Sequence, residues 1–324
     1  MNAEKLVILD WATMSDHEEL SPKRFEKLAN EVKVYPLTTA EDTISRIGDA
    51  ELVICNKVLI TDEVMNACPN LRYVGLLATG FNNVDIAAAD KHGITVCNAG
   101  SYSTDAVAQL VFSYILDHFE RVSAYAEAVR NGAWEQSKTF SHFPIPTMEL
   151  RGKTLAVIGY GSIGRTVAKI ADAFGMNILV STRTTPTDCP YPLVTPDEAF
   201  ARADVLTLHC PLNEGTKGIV NREHLAMMKP TAMLVNTARG GVVVEQDLAD
   251  ALNAGKLAAA YVDVLDKEPM SADTPLKTAK NCIITPHIAW TPLETRERLS
   301  AIAEENVRAF LDGTPLRVVN HPQQ

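Results

Sequence analysis

The sequence lacks the features that mark several large classes of protein. Its 324 residues carry a net charge of −10 and contain no Lys/Arg-rich run that could bind nucleic acid. No apolar run approaches the ~18 residues that span a bilayer, and the N-terminus lacks the basic and apolar regions of a signal peptide. The six cysteines form no C-x-x-C pair and no metal-ligand spacing, which is typical of reduced thiols. We therefore expect a cytoplasmic protein with no metal and with neither nucleic acid nor a membrane as partner.

Short runs rich in Val, Ile and Leu alternate with helical patterns along the whole chain, which is typical of α/β proteins with parallel sheets. One series of such runs occupies residues 1–100 and a second begins near residue 150. The two series together contain more strand candidates than one open sheet comfortably holds. The pattern therefore predicts two doubly wound parallel-sheet domains. We expect a long helix after Ser103 to connect them and a last helix to return the chain to the first. The predicted domains are 1–100 plus 292–324, and 101–291.

A glycine-rich loop, "VIGYGSIGRTVA", places G-x-G-x-x-G at Gly159, Gly161 and Gly164 between an apolar strand and an amphipathic helix. This is the context that dinucleotide binding requires. Gly159 allows the tight turn, Gly161 the approach of a pyrophosphate, and Gly164 the packing of helix on strand. The amides of Ser162 and Ile163, at the helix N-terminus, are expected to face the anion. The alternative is a glycine-rich turn without a ligand.

The next strand ends in "ILVSTRTTPTD", at the position where NAD-specific proteins carry an acid. Ser181, Thr182 and Arg183 stand there instead. A guanidinium can bind a 2′-phosphate as a planar donor fork. The sequence therefore favours NADP, or dual use of NADP and NAD. The alternative is that Arg183 is only a solvated loop charge.

Three polar residues follow strand-like runs of the second series: Arg239 after "AMLVNTA", Glu268 after "AAYVDVLDK" and His287 after "NCIITP". Ligands of doubly wound sheets bind at the carboxyl ends of strands. A guanidinium can hold a carboxylate, an imidazole can exchange a proton with a carbonyl oxygen, and a carboxylate can orient that imidazole. The set suits reduction of a 2-oxo acid to a 2-hydroxy acid. Taken singly, each residue also has a structural interpretation: a surface ion pair, a solvated acid and a structural histidine.

The order and spacing of several motifs resemble the D-isomer-specific 2-hydroxyacid dehydrogenase family. The matching stretches are "LLATGFNNVD", "YSTDAVAQ", "VIGYGSIGRTVA", "HCPLNEGTKGIV", "LVNTARGGVVVEQDLADAL", "AAAYVDVLDKEP" and "NCIITPHIAWTPLETRERL". The resemblance implies a flavodoxin-like substrate domain and a Rossmann dinucleotide-binding domain, with the active site in the cleft between them. It also implies a homodimer formed through the helix after Ser103 and the segment through Trp134.

The resemblance assigns roles to individual residues. It makes Arg239 the substrate-binding arginine, His287 the acid/base and Glu268 its partner, and we expect Trp290 to wall off the substrate pocket. The backbone of Ala78, Thr79 and Gly80 resembles the family's carboxylate cradle, although a plain strand-to-helix turn is the alternative. The cofactor residues implied beyond the glycine loop and the Thr182–Arg183 stretch are Thr104, His209, Cys210, Pro211, Thr216, Thr237, Ala238 and, at the nicotinamide carboxamide, Asp263.

Within the family, "TPHIAW" and "STRT" most resemble glycerate dehydrogenases, also described as hydroxypyruvate or glyoxylate reductases. We expect an NAD(P)-dependent enzyme that reduces one of these two acids to D-glycerate or glycolate. Glu268 argues against a formate dehydrogenase, and the chain stops soon after the returning helix, unlike many phosphoglycerate dehydrogenases. Two alternatives stay open: a dehydrogenase for another acid such as pyruvate, a branched-chain acid or phosphite, and a dinucleotide-sensing corepressor, for which no basic or disordered tail is found.

Overall fold

The computed structural model describes residues 3–15 and 18–322. The chain divides into two compact units, Met1–Ser103 together with Thr291–Gln324, and Thr104–Trp290. The first unit is therefore built from two separate pieces of sequence, and the second from one.

The described residues form eleven strands, five in the first unit and six in the second. The five strands are β1 (Ala3–Ile8), β2 (Ala29–Val34), β3 (Leu52–Cys55), β4 (Tyr73–Leu76) and β5 (Thr95–Cys97). The six are β6 (Thr154–Ile158), β7 (Asn177–Ser181), β8 (Val205–Leu208), β9 (Met233–Asn236), β10 (Ala259–Val262) and β11 (Cys282–Ile284).

The α-helices follow most of the strands and cover the sheets. They are α1 (Thr43–Ile47), α2 (Asp62–Ala67), α3 (Ile86–Lys91), α4 (Thr104–Glu120), α5 (Val122–Arg130), α6 (Ser162–Ala173), α7 (Pro196–Arg202), α8 (Arg222–Met227), α9 (Glu245–Asn253) and α10 (Leu293–Leu311). Short 3₁₀ turns span Trp11–Thr13, Pro22–Phe25, Gly240–Val242 and Pro275–Thr278.

The sheet of the first unit has the strand order β2-β1-β3-β4-β5, and every neighbouring pair is parallel. This is the flavodoxin-like order, whose direction reverses between β1 and β3. Helix α10 packs against β4, where the rings of Tyr73 and Phe310 lie 4.8 Å apart. The last helix is therefore part of the first unit.

The sheet of the second unit is also parallel throughout, in the order β7-β6-β8-β9-β10-β11. A single parallel bridge between Val180 and Leu193 extends it beyond β7. The strand order reverses between β6 and β8, the point at which open α/β sheets bind ligands. The glycine loop follows β6, so the fold places it at this switch point.

The central strands of both sheets are buried along their whole length, as expected where helices cover both faces. Successive residues of β6 point to opposite faces of the second sheet. Ala156 and Ile158 belong to the core beneath α7, α8 and α9, whereas Leu155 and Val157 belong to the core beneath α4 and α6. The alternation of one apolar strand thus supplies both cores. Together these features confirm the predicted α/β class with two parallel-sheet domains.

The prediction of a single long helix after Ser103 is wrong in one respect. Arg121 adopts a left-handed backbone, with φ of 55°, and breaks the segment into α4 and α5. Helix α4 keeps the expected buried stripe, including Val107, Val111 and Ile115. Helix α5 buries none of its residues. The apolar periodicity predicted the first helix correctly, but it carried no signal for the break.

Candidate active site

The glycine loop leaves no room for side chains at two of its three glycines. Gly159 has a φ of 96°, and a Cβ there would lie 2.6 Å from the backbone nitrogen of Cys210. A Cβ on Gly164 would lie 2.1 Å from the carbonyl oxygen of Gly159. At Gly161, by contrast, a Cβ would meet no heavy atom within 4 Å. The loop is therefore tight against the protein at both ends and open in the middle, above the N-terminus of α6, where a pyrophosphate would fit.

Residues His209 and Cys210, after β8, border the same loop, and Thr237 follows the next strand of the sheet, β9. The Nε2 atom of His209 lies 2.9 Å from the hydroxyl of Thr207, and Cys210 is buried. The hydroxyl of Thr216 donates to the carbonyl of Pro211 and closes the turn that follows β8. Among the described residues, the buried hydroxyl of Thr237 has no hydrogen-bond partner. An unsatisfied buried hydroxyl at the carboxyl end of a strand in an open parallel sheet is a group that a bound ligand could satisfy.

The end of β7 carries the residues predicted to select the dinucleotide. Ser181 is buried, Thr182 is half-buried and Arg183 is exposed. The one acid of this loop, Asp188, lies 2.9 Å from the guanidinium of Arg165, which also stacks on Tyr160. In the part of the chain that the structure describes, Arg183 forms no ion pair.

Arg239 is held by backbone contacts that the sequence did not predict. The side chain of the buried Asn236 accepts a hydrogen bond from the amide of Ala238 and donates one to the carbonyl of Arg239, both at 3.0 Å. A Cβ on the next residue, Gly240, would lie 1.8 Å from the backbone of Leu265, so only glycine fits. The Arg239 side chain is exposed, and its Nη1 atom donates to the carbonyl of Ala238 at 2.7 Å.

His287 and Glu268 form the pair that the sequence predicted. The Nδ1 atom of His287 lies 2.7 Å from Oε2 of Glu268, and the other oxygen, Oε1, accepts the amide of Leu265 at 3.0 Å. Both side chains are about one-third exposed. Within the described residues, Nε2 of the imidazole has no hydrogen-bond partner. An imidazole oriented at one nitrogen and open at the other can exchange a proton with a ligand.

The backbone of His287 is strained, and Asp263 holds it. His287 has a φ of 57°, a left-handed conformation that costs a non-glycine residue roughly 1–2 kcal/mol. The carboxylate of Asp263, 1% exposed, accepts the amides of Ile288 and Ala289 at 2.8 Å and the hydroxyl of Thr285 at 2.5 Å. The Asp263 carbonyl also accepts the amide of His287. The sequence predicted Asp263 at the nicotinamide but not its hydrogen bonds to the His287 turn, although an acid directly after a buried strand was a visible signal.

The remaining predicted residues lie at the start of α4, after β11 and in the first unit. Thr104 is the first residue of α4, and Trp290 is half-buried after the His287 turn. In the first unit, the stretch Ala78–Gly80 follows β4. It is fastened to the chain after β5: the side chain of Asn98 donates to the carbonyl of Thr79 at 2.7 Å. Arg239, Glu268 and His287 all belong to the second unit, where Glu268 and His287 are in contact, and the predicted carboxylate cradle belongs to the first unit.

Comparison with known proteins identifies the family. Residues 112–289 match the NAD-binding domain of the D-isomer specific 2-hydroxyacid dehydrogenases. The chain is 44% identical to a hydroxypyruvate reductase of Blautia hydrogenotrophica over 98% of its own length and 99% of that protein, and 38% identical to a glycerate dehydrogenase of Methylorubrum extorquens over 90% and 92%. The crystal structure of an NADPH-dependent glyoxylate/hydroxypyruvate reductase from Sinorhizobium meliloti, in complex with citrate, superimposes with a TM-score of 0.83 at 25% identity, covering 98% of each chain.

The chain therefore belongs to the D-isomer specific 2-hydroxyacid dehydrogenase family, and it is an oxidoreductase that uses a nicotinamide cofactor. Across residues 3–15 and 18–322, no group of His, Cys, Asp and Glu side chains could hold a metal ion. Over the same residues, none of the helices has the length and apolar character that crossing a bilayer demands.

Proposed function

We propose that this enzyme reduces hydroxypyruvate or glyoxylate to D-glycerate or glycolate. The observation that carries the proposal is the His287–Glu268 pair, with Nδ1 of the imidazole held at 2.7 Å from the carboxylate. The 44% identity to a hydroxypyruvate reductase supports the choice of substrate. A bound nicotinamide dinucleotide supplies the hydride, and the protein supplies the proton and the positioning.

His287 is the proposed proton donor to the carbonyl oxygen of the substrate. Glu268 accepts a hydrogen bond from Nδ1 and so orients the imidazole, and the protonated ring gives up its proton from Nε2. After transfer, the imidazole is neutral and takes up a proton from water. In the oxidative direction the same nitrogen accepts the hydroxyl proton.

Arg239 is the proposed anchor for the substrate carboxylate. A guanidinium binds a carboxylate through two parallel hydrogen bonds and fixes its orientation. The turn that carries it is held by Asn236 and Gly240, so the anchor is preorganised. The backbone of Ala78, Thr79 and Gly80 is proposed to bind the same carboxylate, and Trp290 to limit the size of the acid.

The second unit, predicted as residues 101–291, is the proposed dinucleotide domain, and the first, predicted as 1–100 plus 292–324, is the substrate domain. The glycine loop binds the pyrophosphate through the amides of Ser162 and Ile163, with Thr104 nearby. The proposed lining of the cofactor site is completed by Thr182, His209, Cys210, Pro211, Thr216, Thr237, Ala238 and Asp263.

NADP, or dual use of NADP and NAD, is the proposed cofactor choice. Arg183 is exposed and forms no ion pair within the described residues, so its guanidinium is available for a 2′-phosphate. The one nearby acid, Asp188, is engaged by Arg165 at 2.9 Å and is partly neutralised by it. A carboxylate paired with a guanidinium repels a 2′-phosphate less than an unpaired carboxylate would.

A homodimer in the cytoplasm is the proposed working form. Residues 131–149, after α5, leave three aromatic side chains exposed: Trp134 at 54%, Phe140 at 92% and Phe143 at 80%. Such a patch is typical of a surface that another chain covers. All six cysteines carry free thiols, as reducing compartments favour. Sedimentation analysis tests the dimer: a monomer at micromolar concentration would contradict it.

The substrate proposal is tested by comparing kcat/KM for hydroxypyruvate, glyoxylate, pyruvate and 2-oxoisocaproate, each with NADPH and with NADH. We expect hydroxypyruvate or glyoxylate to give the highest value. A preference for 2-oxoisocaproate would mean that the pocket admits a bulky branched acid, and it would overturn the substrate while leaving the enzyme class intact.

A further inference from the structure

A line of hydroxyl groups lies behind Asp263, away from the groups proposed to meet the substrate. The hydroxyl of Thr285 donates to Oδ1 of Asp263. The phenol of Tyr114, which belongs to α4, hydrogen-bonds in turn to the hydroxyl of Thr285. Tyr114 is buried, and its ring packs against that of Tyr261 with centroids 5.2 Å apart. Neither Tyr114 nor Thr285 was predicted from the sequence to belong to the site.

The chemistry of the groups fixes the direction of each hydrogen bond. Among the described residues, the Asp263 carboxylate accepts from the amides of Ile288 and Ala289 and from the hydroxyl of Thr285. It is therefore the acceptor from Thr285, whose single proton is then committed. Thr285 must in turn accept from Tyr114. Burial raises the pKa of Tyr114 well above its usual range, so the phenol keeps the proton that it donates. The result is a one-way chain from α4 to the carboxylate.

We propose that Tyr114 and Thr285 are positioning residues that act through Asp263 to hold His287 in its left-handed turn. The Thr285 hydroxyl fixes one oxygen of the carboxylate, and the carboxylate fixes the amides of Ile288 and Ala289 directly after His287. Without the hydroxyls, the carboxylate can rotate and release one of these amides, and the imidazole loses its fixed direction. The catalytic consequence rests on the proposed function of His287 as the proton donor.

Four variants test the proposal: Thr285→Val, Thr285→Ser, Tyr114→Phe and Tyr261→Phe. The last is a matched control, because the phenol of Tyr261 is also buried and donates at 2.8 Å to a carboxylate, that of Asp117, which has no hydrogen bond to the His287 turn. Two properties are measured for each folded variant: kcat with hydroxypyruvate, and amide hydrogen exchange of peptides that contain residues 286–290 in the free protein.

We expect Thr285→Val to lower kcat roughly 10- to 100-fold, since small misplacements of a catalytic group cost up to about that much. Tyr114→Phe should lower it roughly 3- to 10-fold, because it acts one bond further away. Both should accelerate exchange at residues 286–290 and leave the Kd of the dinucleotide within about threefold. Thr285→Ser should restore most of kcat and the slow exchange, and Tyr261→Phe should change neither.

The two readouts separate this proposal from the proposed function. Exchange in the free protein needs no substrate, so it tests the hydroxyl chain even if hydroxypyruvate is not reduced. Unchanged exchange in Thr285→Val overturns the proposal. Accelerated exchange with an unchanged kcat in an active enzyme also overturns it, since the turn would then not govern proton transfer. If Thr285→Val does not fold, Tyr114→Phe, which keeps the ring and its packing, decides by the same criteria.

Discussion

The glycine loop after β6 and the His287 turn after β11 both present functional groups at the carboxyl end of a parallel strand, but different forces hold them. In the loop, close packing decides the shape: side chains at Gly159 and Gly164 would run into backbone atoms. In the turn, hydrogen bonds decide it: Asp263 gathers the donors that keep His287 left-handed. An added methyl group is therefore the damaging change in the loop, and a lost acceptor or donor is the damaging change in the turn.

The turn should show the larger effect, because it carries His287, the proposed proton donor. His287→Ala is expected to lower kcat ~10²- to 10⁴-fold, the usual contribution of general acid/base catalysis. Dinucleotide affinity should stay within about threefold, since the glycine loop is the proposed site of pyrophosphate binding. Stopped-flow turnover and fluorescence titration with the dinucleotide measure the two quantities.

A second histidine–carboxylate pair provides the control for that variant. Nε2 of His92 lies 2.8 Å from Oδ1 of Asp62; both residues belong to the first unit, and neither has a proposed role in catalysis. His92→Ala should keep normal turnover. Near-normal turnover of His287→Ala itself would contradict its role as the proton donor.

Within the loop, two alanine substitutions should separate packing from ligand binding. Gly164→Ala places a Cβ 2.1 Å from the Gly159 carbonyl, and we expect a loss of about 1–3 kcal/mol in the free energy of unfolding. Gly161→Ala meets no protein atom, so stability should hold while dinucleotide affinity falls. Denaturant unfolding and binding titrations test the pair. Equal losses of stability at both positions would show that the opening above Gly161 is not there.

The end of β7 is shaped neither by tight glycine packing nor by the Asp263 hydrogen bonds. We expect a substitution there to have a smaller effect. Arg183→Ala should weaken NADPH about tenfold, corresponding to about 1.4 kcal/mol for the loss of a charge-assisted contact. The affinity for NADH, which has no 2′-phosphate, serves as the internal control and should stay nearly constant. Equal weakening of both cofactors would mean that Arg183 does not contact the 2′-phosphate.

In contrast to His287, His118 in α4 is a buried histidine whose ring packs against Phe119 and Tyr261. It is 2% exposed, neither ring nitrogen has a hydrogen bond within the described residues, and burial lowers its pKa from 6.5 to about 4. The unfolded chain therefore binds this proton at a higher pH than the folded chain does, so stability falls as the pH drops from about 6.5 towards 4.

Lowering the pH from 7 to 5.5 should therefore reduce the free energy of unfolding by about 1 kcal/mol through His118. His118→Phe, of similar volume, should remove that part of the pH dependence. Urea unfolding at both pH values measures it, and parallel losses in the two proteins would contradict the assignment.

The difference between loop and turn also explains what the sequence could predict. The positions in the loop where packing admits only glycine lie within a few residues of one another. The pattern at Gly159–Gly164 is therefore local, and it can be recognised in the sequence. The strand series likewise predicted both sheets. Glu268 and His287 were singled out because each follows a strand, and the structure pairs their side chains. The hydrogen bonds that join Asp263, Thr285 and Tyr114 could not be predicted. Thr285 lies 22 residues from Asp263 and 171 from Tyr114 in the sequence, and only the fold brings them together. The break at Arg121 has no marker, since arginine has no preference for left-handed backbone.

The most direct test of the central claim is to incubate the purified protein with hydroxypyruvate and NADPH or NADH, and to follow both the near-ultraviolet absorbance of the reduced cofactor and the chirality of the product. We predict that the cofactor is oxidised in step with formation of D-glycerate, and that His287→Ala abolishes both signals on the same timescale. No oxidation of either cofactor, or formation of L-glycerate, would contradict the account.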